Sequence, residues 1–321
     1  MLFPVSGVET NPAVPFLVAL VVSSFTSMGG VSGAFLLLPF QVSVLGFTSP
    51  AVSPTNLVFN IVAIPSGVYR YLREGRMNWP LTWVVILGTL PGLLFGALIR
   101  IYWLPDPKNF KLFVGCVLLY IGARLLYDQT PRAKRQKARI QTFEAQVQER
   151  LQAVMAASGQ SRGRGLPPAA QVRTASWNWR QVSYEFLGET FSFRAPALFA
   201  LALVVGLIGG TYGIGGGAII APFVAAIFGL PIYTIAGAAL MGTFITSVAG
   251  VVIYYGLAPF CPGQSVAPDL ALGALFGLGG FCGMYIGARM QKFIKATNIR
   301  IGLGIIITGL AVRYIIGFFL G

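Results

Sequence analysis

Histidine is missing altogether from the 321 residues, and its absence removes a good deal of chemistry. Zinc held by His, haem held by a proximal His and Ser–His–Asp catalysis all lose a required group. Cysteine is scarce: Cys116, Cys261 and Cys282 form no C-x-x-C pair. Lone cysteines in apolar sequence read as small hydrophobes. No metal and no cofactor is expected. Acids are nearly as rare, with only nine Asp and Glu. Glu9, Glu74, Asp106, Asp128 and Asp269 fall near the ends of apolar runs or in loops, and the other four lie between 129 and 194. Cation pathways and carboxylate proton relays need buried acids, whereas an anion or a neutral solute needs none.

Charge of either sign makes up 10% of the chain, and hydrophobic residues 55%. A soluble domain carries about 25% charged residues. Stretches at 13–26, 34–46, 51–69, 80–102, 110–127, 196–210, 217–257, 270–288 and 299–321 are almost free of charge. A membrane span needs about 20 such residues, so this is an integral, polytopic membrane protein. MLFPVSGVETNP holds no Lys or Arg before the first apolar run, and a cleaved signal peptide is not expected. The net charge is +14, and 11 of the 23 basic residues lie between 129 and 194. A basic stretch beside membrane spans reads as cytoplasmic retention, not as nucleic-acid binding. Within it, 141–157 has a helical pattern, 159–168 reads as disordered, and RQVSYEFLGETFSF (180–193) alternates like a hairpin turned at LGET.

What is abundant is glycine, 40 residues of it. In TYGIGGGAIIAPF (211–223), glycines at 213, 215, 216 and 217 and a proline at 222 interrupt a hydrophobic run. No carboxylate follows within the next 20 residues, so a dinucleotide-binding turn is excluded. The motif occurs twice. GGVSGAFLLLPF (29–40) matches YGIGGGAIIAPF (212–223) at an offset of 183, and the match continues through Gly46/Gly229, Leu57/Leu240, Gly67/Gly250 and Tyr71/Tyr254. Further along, Gly92 and Gly96 pair with Gly283 and Gly287, and Gly115 and Arg124 with Gly304 and Arg313. Duplications on this scale mark transporter folds.

Basic clusters at 70–76, 129–194 and 289–300 all face the cytoplasm under the positive-inside bias. An even number of crossings must then separate each neighbouring pair. From 194 to 289 there are three hydrophobic elements, so the broken one, 196–229, enters and returns. The predicted fold is an all-α integral membrane protein of two inverted four-element repeats. Each repeat has a glycine-broken re-entrant helix pair followed by three transmembrane helices. Repeat one covers 13–128, the cytoplasmic linker 129–194, and repeat two 195–321.

Non-helical backbone at membrane depth is tolerated where it lines a cavity, and half-helix N-termini offer N–H groups to anions. The candidate substrate site is therefore the two breaks, Gly30, Val31, Ser32 and Gly33 with Gly213, Gly215 and Gly216. Polar residues of the second element in each half would face them: Thr55, Asn56 and Asn60, and Thr243, Thr246 and Ser247. These groups can donate to an oxyanion, and they can equally tie neighbouring helices together. Arg124 and Arg313, the basic residues furthest into apolar sequence, are candidates for gating or for attracting an anion. Gly88, Gly92 and Gly96, with Gly279, Gly283 and Gly287, form small-xxx-small faces and are read as packing.

These strings, with RYLREGRMNW after the second element and the PG-xxx-GA pattern of the third, resemble the sulfite exporter TauE/SafE (TSUP) family over nearly all of 13–321 outside the linker. The resemblance implies a secondary transporter in the bacterial inner membrane. Its cargo would be a small sulfur-containing anion, sulfite or an organosulfonate such as sulfoacetate. Three other readings stay open: a passive anion channel, thiosulfate handling with Cys116 or Cys282 as transient sulfur acceptors, and a non-transporting scaffold. A homo-oligomer also stays open.

Overall fold

The computed structural model describes residues 1–29, 31–131, 171–290 and 296–320, with isolated positions at 133, 146, 149, 150 and 153. The expected helical pattern of 141–157 and the segment 159–168 lie almost wholly outside the described residues.

A short hairpin, β1 (Leu2–Phe3) and β2 (Val8–Glu9), precedes α1 (Ala13–Gly29) and α2 (Ala34–Ser43). Next come α3 (Val52–Ala63), α4 (Pro65–Arg73), α5 (Trp79–Leu98) and α6 (Pro107–Tyr127). The second half holds α7 (Ala195–Tyr212), α8 (Gly217–Phe228), α9 (Ile232–Leu257), α10 (Leu270–Met290) and α11 (Ala296–Leu320). Six of these stretches are long and apolar enough to cross a membrane: 79–103, 107–127, 195–212, 232–260, 270–287 and 297–320. Four apolar helices are shorter, 13–28, 34–43, 52–63 and 217–228.

Local chemistry sets the ends. Asn78 accepts from Leu81 N at 3.2 Å and Asp106 from Asn109 N at 3.3 Å, each followed by an early proline, so α5 and α6 start sharply. The second element of repeat one differs from the uninterrupted run expected at 51–69. It is split at Ile64 into α3 and α4, because Pro65 has no N–H and its ring crowds the preceding turn. Its counterpart α9 has no proline inside and runs 26 residues unbroken. The first arms, α1 and α7, with 17 and 18 residues, are also longer than half-helices.

The two halves exchange partners. α5 packs along α7, α10 along α1, and α6 along α11. A Cβ on Gly88, Gly92 or Gly96 would strike the backbone of Phe199, Leu203 or Leu207, and one on Gly279, Gly283 or Gly287 that of Phe16, Leu20 or Ser24. Residues 16, 20 and 24 are separated from 199, 203 and 207 by the same 183 positions as the motif repeat. The duplicated sequence thus makes duplicated contacts.

Contacts outside the helices gather into two groups. Ala51 N donates to Ser265 O (2.9 Å), Ser265 Oγ to Val5 O (2.8 Å), Ser6 Oγ to Asp269 (2.8 Å) and Arg100 to the carbonyls of Thr48 and Ser49. The other group joins Arg76, stacked on Tyr233 at 3.6 Å, with Tyr184, whose hydroxyl meets Thr234 Oγ1 at 2.8 Å. Tyr184 belongs to an antiparallel sheet of β3 (Arg173–Trp177), β4 (Val182–Phe186) and β5 (Glu189–Phe193). β4 and β5 form the expected hairpin, turned at Leu187 and Gly188, both with positive φ. β3 is an addition that composition did not signal. The sheet is no loose appendage, for Val182, Tyr184 and Phe186 are buried and Phe186 stacks on Tyr233 at 5.4 Å.

Candidate functional site

The second break is shaped by glycine. Gly213 (φ 88°) and Gly215 (φ 76°) occupy the left-handed region that side chains resist. Gly213 N and Ile214 N both bond to Gly209 O, closing α7, and Gly216 N donates to Thr246 Oγ1 at 3.0 Å before α8 begins. A Cβ on Gly213 would strike the backbone of Ser53, and one on Gly215 would lie 2.9 Å from Ser247 Oγ and from the Thr243 methyl. In the first break, Val31 N reaches back to Thr26 O and Ser32 Oγ accepts from Ala34 N at 3.3 Å. Gly33 presses on Ser23, whose Oγ would lie 2.8 Å from a Cβ there. Gly30 lies outside the described residues.

One face of α3 joins the two breaks. Ser53 Oγ donates to Thr211 O (2.8 Å), Asn56 Nδ2 to Gly213 O (3.0 Å) and Asn60 Nδ2 to Ile214 O (2.9 Å). Spacings of three and four residues align these side chains along one stripe. Asn56 also donates to Ala34 O at 3.1 Å, so a single amide spans the start of α2 and the end of α7. Tyr212 adds a second tie from its hydroxyl to Phe35 O at 2.8 Å. Asn60 Nδ2 further reaches Ser247 Oγ at 3.3 Å. Asn56, Asn60, Thr246 and Ser247 are fully buried and Thr243 nearly so, so the junction is closed to solvent.

Two oxygens there are left over. Asn60 Oδ1 and Gln41 Oε1 are buried and have no hydrogen-bond partner among the described residues. Their orientation is fixed: Asn60 and Asn56 turn their NH2 groups to backbone carbonyls, and Gln41 Nε2 donates to Asn56 Oδ1 at 3.3 Å. Unpaired buried acceptors cost about 1–3 kcal/mol each, and two of them stand at this junction.

Of the residues singled out from sequence, Val31, Ser32, Gly33, Asn56, Asn60, Gly213, Gly215, Gly216, Thr243, Thr246 and Ser247 line the two breaks or the helices bonded to them. Thr55 is a correction. Its hydroxyl donates to Ala51 O and accepts from Asp269 N at 2.9 Å, away from the breaks, because one step along a helix turns a side chain by about 100°. Arg124 and Arg313 do not bond to the junction. Arg124 faces Asp128 at 3.5 Å, and Arg313 lines a cavity with Lys108 and Lys111. Nor are they the most deeply placed cations. Arg100 is fully buried, capping the carbonyls of Leu104, Thr48 and Ser49 with its guanidinium 3.7 Å over the Phe110 ring. A π-helical turn over Ile99–Trp103 carries it inward. At the edge of an apolar run it reads as an end charge, and nothing in the sequence marks that turn. Ser53, Gln41 and Tyr212 were also missed, although Ser53 stands three positions before Asn56 on the same stripe. Cys116 is exposed and Cys282 partly buried, both free, and neither hydrogen-bonds to the junction.

No solved structure matches the chain. A Bacillus subtilis (strain 168) protein described as probable membrane transporter protein YunE is 22% identical over 224 residues, covering 67% of each chain. A family model described as sulfite exporter TauE/SafE matches residues 15–314. With its six helices long enough to span a bilayer, the chain is a multi-pass membrane transporter, not an enzyme, and belongs to the sulfite exporter TauE/SafE family.

Proposed function

We propose that the protein is a secondary transporter that carries a small sulfur-containing anion, sulfite or an organosulfonate such as sulfoacetate, across a bacterial inner membrane. The observation that carries this reading is the Asn56 amide, bonded at once to Ala34 O and Gly213 O. Through it the start of α2 and the end of α7, four residues before α8 begins, lie at one buried place. Helix N-termini hold partial positive charge and free N–H groups, which suit an oxyanion. No carboxylate is among the residues that line the two breaks, which agrees with an anionic cargo. The sulfur chemistry rests on the family name alone.

The way the junction is built supports alternating access. Ser53, Asn56 and Asn60 belong to repeat one and bond to carbonyls of repeat two, so tilting one half against the other exchanges these bonds for contacts with a bound anion. The closed junction favours this over an open channel. The two contact groups support inverted repeats with the linker 129–194 on the cytoplasmic side. Residues 5, 48–51, 100 and 265–269 gather at one end and 76, 184 and 233–234 at the other. On this reading α1–α2 enters and leaves at the first end, and α7–α8 at the second.

The test is thermal stabilisation of the purified protein by sulfite, sulfate, thiosulfate, sulfoacetate and taurine against chloride. Saturable stabilisation grows as RT ln(1 + [L]/Kd), so modest affinity registers at high ligand. A shift with one sulfur anion, lost in Gly215→Leu and Asn60→Leu proteins that still fold, is the expected result. Equal shifts with chloride, or none with any sulfur anion, would sink the assignment.

A further inference from the structure

A cleft on the flank of the molecule combines an apolar trough with a basic mouth. The trough, about 680 Å³, lies between α1, α2 and α11 and is walled by Phe25, Phe40, Ile299, Leu303, Ile306 and Leu310. Ser43 and Arg313 line it and are shared with an adjoining cavity of about 270 Å³, where Lys108 and Lys111 join them. The antiparallel seam of α6 and α11 makes the mouth. Gly115 faces Ala311 and Tyr314 while Gly122 faces Thr308, so the first turns of α6 sit beside the last turns of α11. Lys108 and Arg313 are exposed and Lys111 half-buried. Among the described residues none of the three has a carboxylate within ion-pair distance. Ser43 Oγ and Tyr314 OH, 2.6 Å apart, put two hydroxyls at the rim.

We propose that this cleft binds one anionic phospholipid of the surrounding bilayer, its phosphate at Lys108, Lys111 and Arg313 and an acyl chain along the trough. Three grouped cations without an acid call for an oxyanion with several acceptor oxygens. The trough decides which oxyanion. From Asn298 to Arg313 it follows α11 for roughly 22 Å at 1.5 Å per residue. One leaflet of a bilayer core is roughly 15 Å deep, so the trough can hold a whole chain. A small hydrated anion gains nothing from apolar walls of that length. Two of those walls, α1 and α2, flank the first break, so the bound chain braces α2 against α11.

The experiment uses the full chain purified in detergent, supplemented at equal mole fraction with dioleoyl phosphatidylglycerol or dioleoyl phosphatidylcholine. The expected result is a saturable rise in Tm with the anionic lipid alone. The combined Lys108→Gln, Lys111→Gln, Arg313→Gln protein should weaken that response at least tenfold in lipid concentration. Gly302→Leu should weaken it as well, because a Cβ at Gly302 meets open space and its side chain fills the trough without disturbing the fold. This second variant keeps the test alive if the triple one does not fold. Equal shifts with both lipids, or a Gly302→Leu protein that responds like the parent, overturn the proposal. So does an equal shift with glycerol 1-phosphate or sulfite that disappears in the triple variant, since the mouth would then be reading a free anion.

Discussion

Gly213 and Gly229 share a backbone conformation and differ in everything around it. Both have positive φ, 88° and 64°, so an alanine at either position meets about 1 kcal/mol of strain. At Gly229 nothing lies within 4 Å of the added Cβ, whereas at Gly213 it strikes the backbone of Ser53. Overpacking of that kind costs a further 1–3 kcal/mol or so, and at Gly213 it also separates α3 from the carbonyls it reads. Gly213→Ala is therefore expected to destabilise the protein at least twice as much as Gly229→Ala in parallel thermal melts. Equal losses would mean that the break tolerates displacement of α3. Sequence alone marks both glycines as repeat positions, for Gly229 pairs with Gly46 just as 213 falls in the duplicated motif. It cannot tell them apart, because the difference is what another helix places beside them. Asn56 and Asn60 were legible for the opposite reason: amides in an apolar helix need partners, and the broken backbone nearby offers carbonyls. Gln41 and Ser53 carry the same signal more faintly, and Arg100 carries none that distinguishes it from a charge at the end of a span.

At the scale of elements, the glycine ladders on α5 and α10 were legible as packing faces, yet their partners were not. Each ladder meets the first helix of the other repeat, and spacing along one helix holds no information about a neighbour so distant along the chain. The duplication makes a prediction that ordinary packing would not. Gly92→Ala and Gly283→Ala should destabilise to a similar degree, about 1–3 kcal/mol, because each Cβ strikes an equivalent carbonyl, Leu203 O or Leu20 O. Gly309→Ala on α11, where the Cβ meets open space, should be neutral or stabilising by up to about 1 kcal/mol through better helix propensity. A loss at Gly92 with none at Gly283 would end the idea of equivalent seams. The turn after α4 adds a pH-dependent contact. Burial pushes the Glu74 carboxyl up, but hydrogen bonds from Arg70 (2.7 Å) and Arg76 (2.9 Å) more than offset this and hold it below the usual carboxylate range. A group with a depressed folded pKa contributes stability above its unfolded value and loses it as pH falls through the folded one. The advantage of the parent over Glu74→Gln should be full at pH 6, shrink below about pH 4.5 and vanish once Glu74 protonates in the folded protein. Melts of the two proteins across that range check it; a gap that does not narrow on acidification points away from Glu74.

For the whole molecule, the question is whether the repeats are inverted, and the bilayer supplies the argument. Helix lengths alone leave it open, since α1 and α7 could each cross or return. The end contacts are more restrictive, because a chain that leaves and regains the same group of contacts cannot have crossed an odd number of times. Asn11, before α1, follows a hairpin whose Ser6 is held to Asp269, and α2 ends just before the Thr48 and Ser49 carbonyls capped by Arg100. Trp179 sits in the turn between β3 and β4 of the sheet that precedes α7, and α9 opens at Ile232 beside the Tyr184–Thr234 bond. In a background with Cys116, Cys261 and Cys282 replaced by alanine, Asn11→Cys and Val44→Cys are expected to react with a membrane-impermeant maleimide on intact cells. Trp179→Cys and Ile232→Cys should react only after permeabilisation. All four side chains are exposed, so access and not burial sets the outcome. If positions 11 and 44 label from opposite faces, α1–α2 crosses the membrane and the two breaks cannot be inverted counterparts. If all four label from one face, the repeats are parallel, and the anion site would have to open by a motion other than rocking one half against the other.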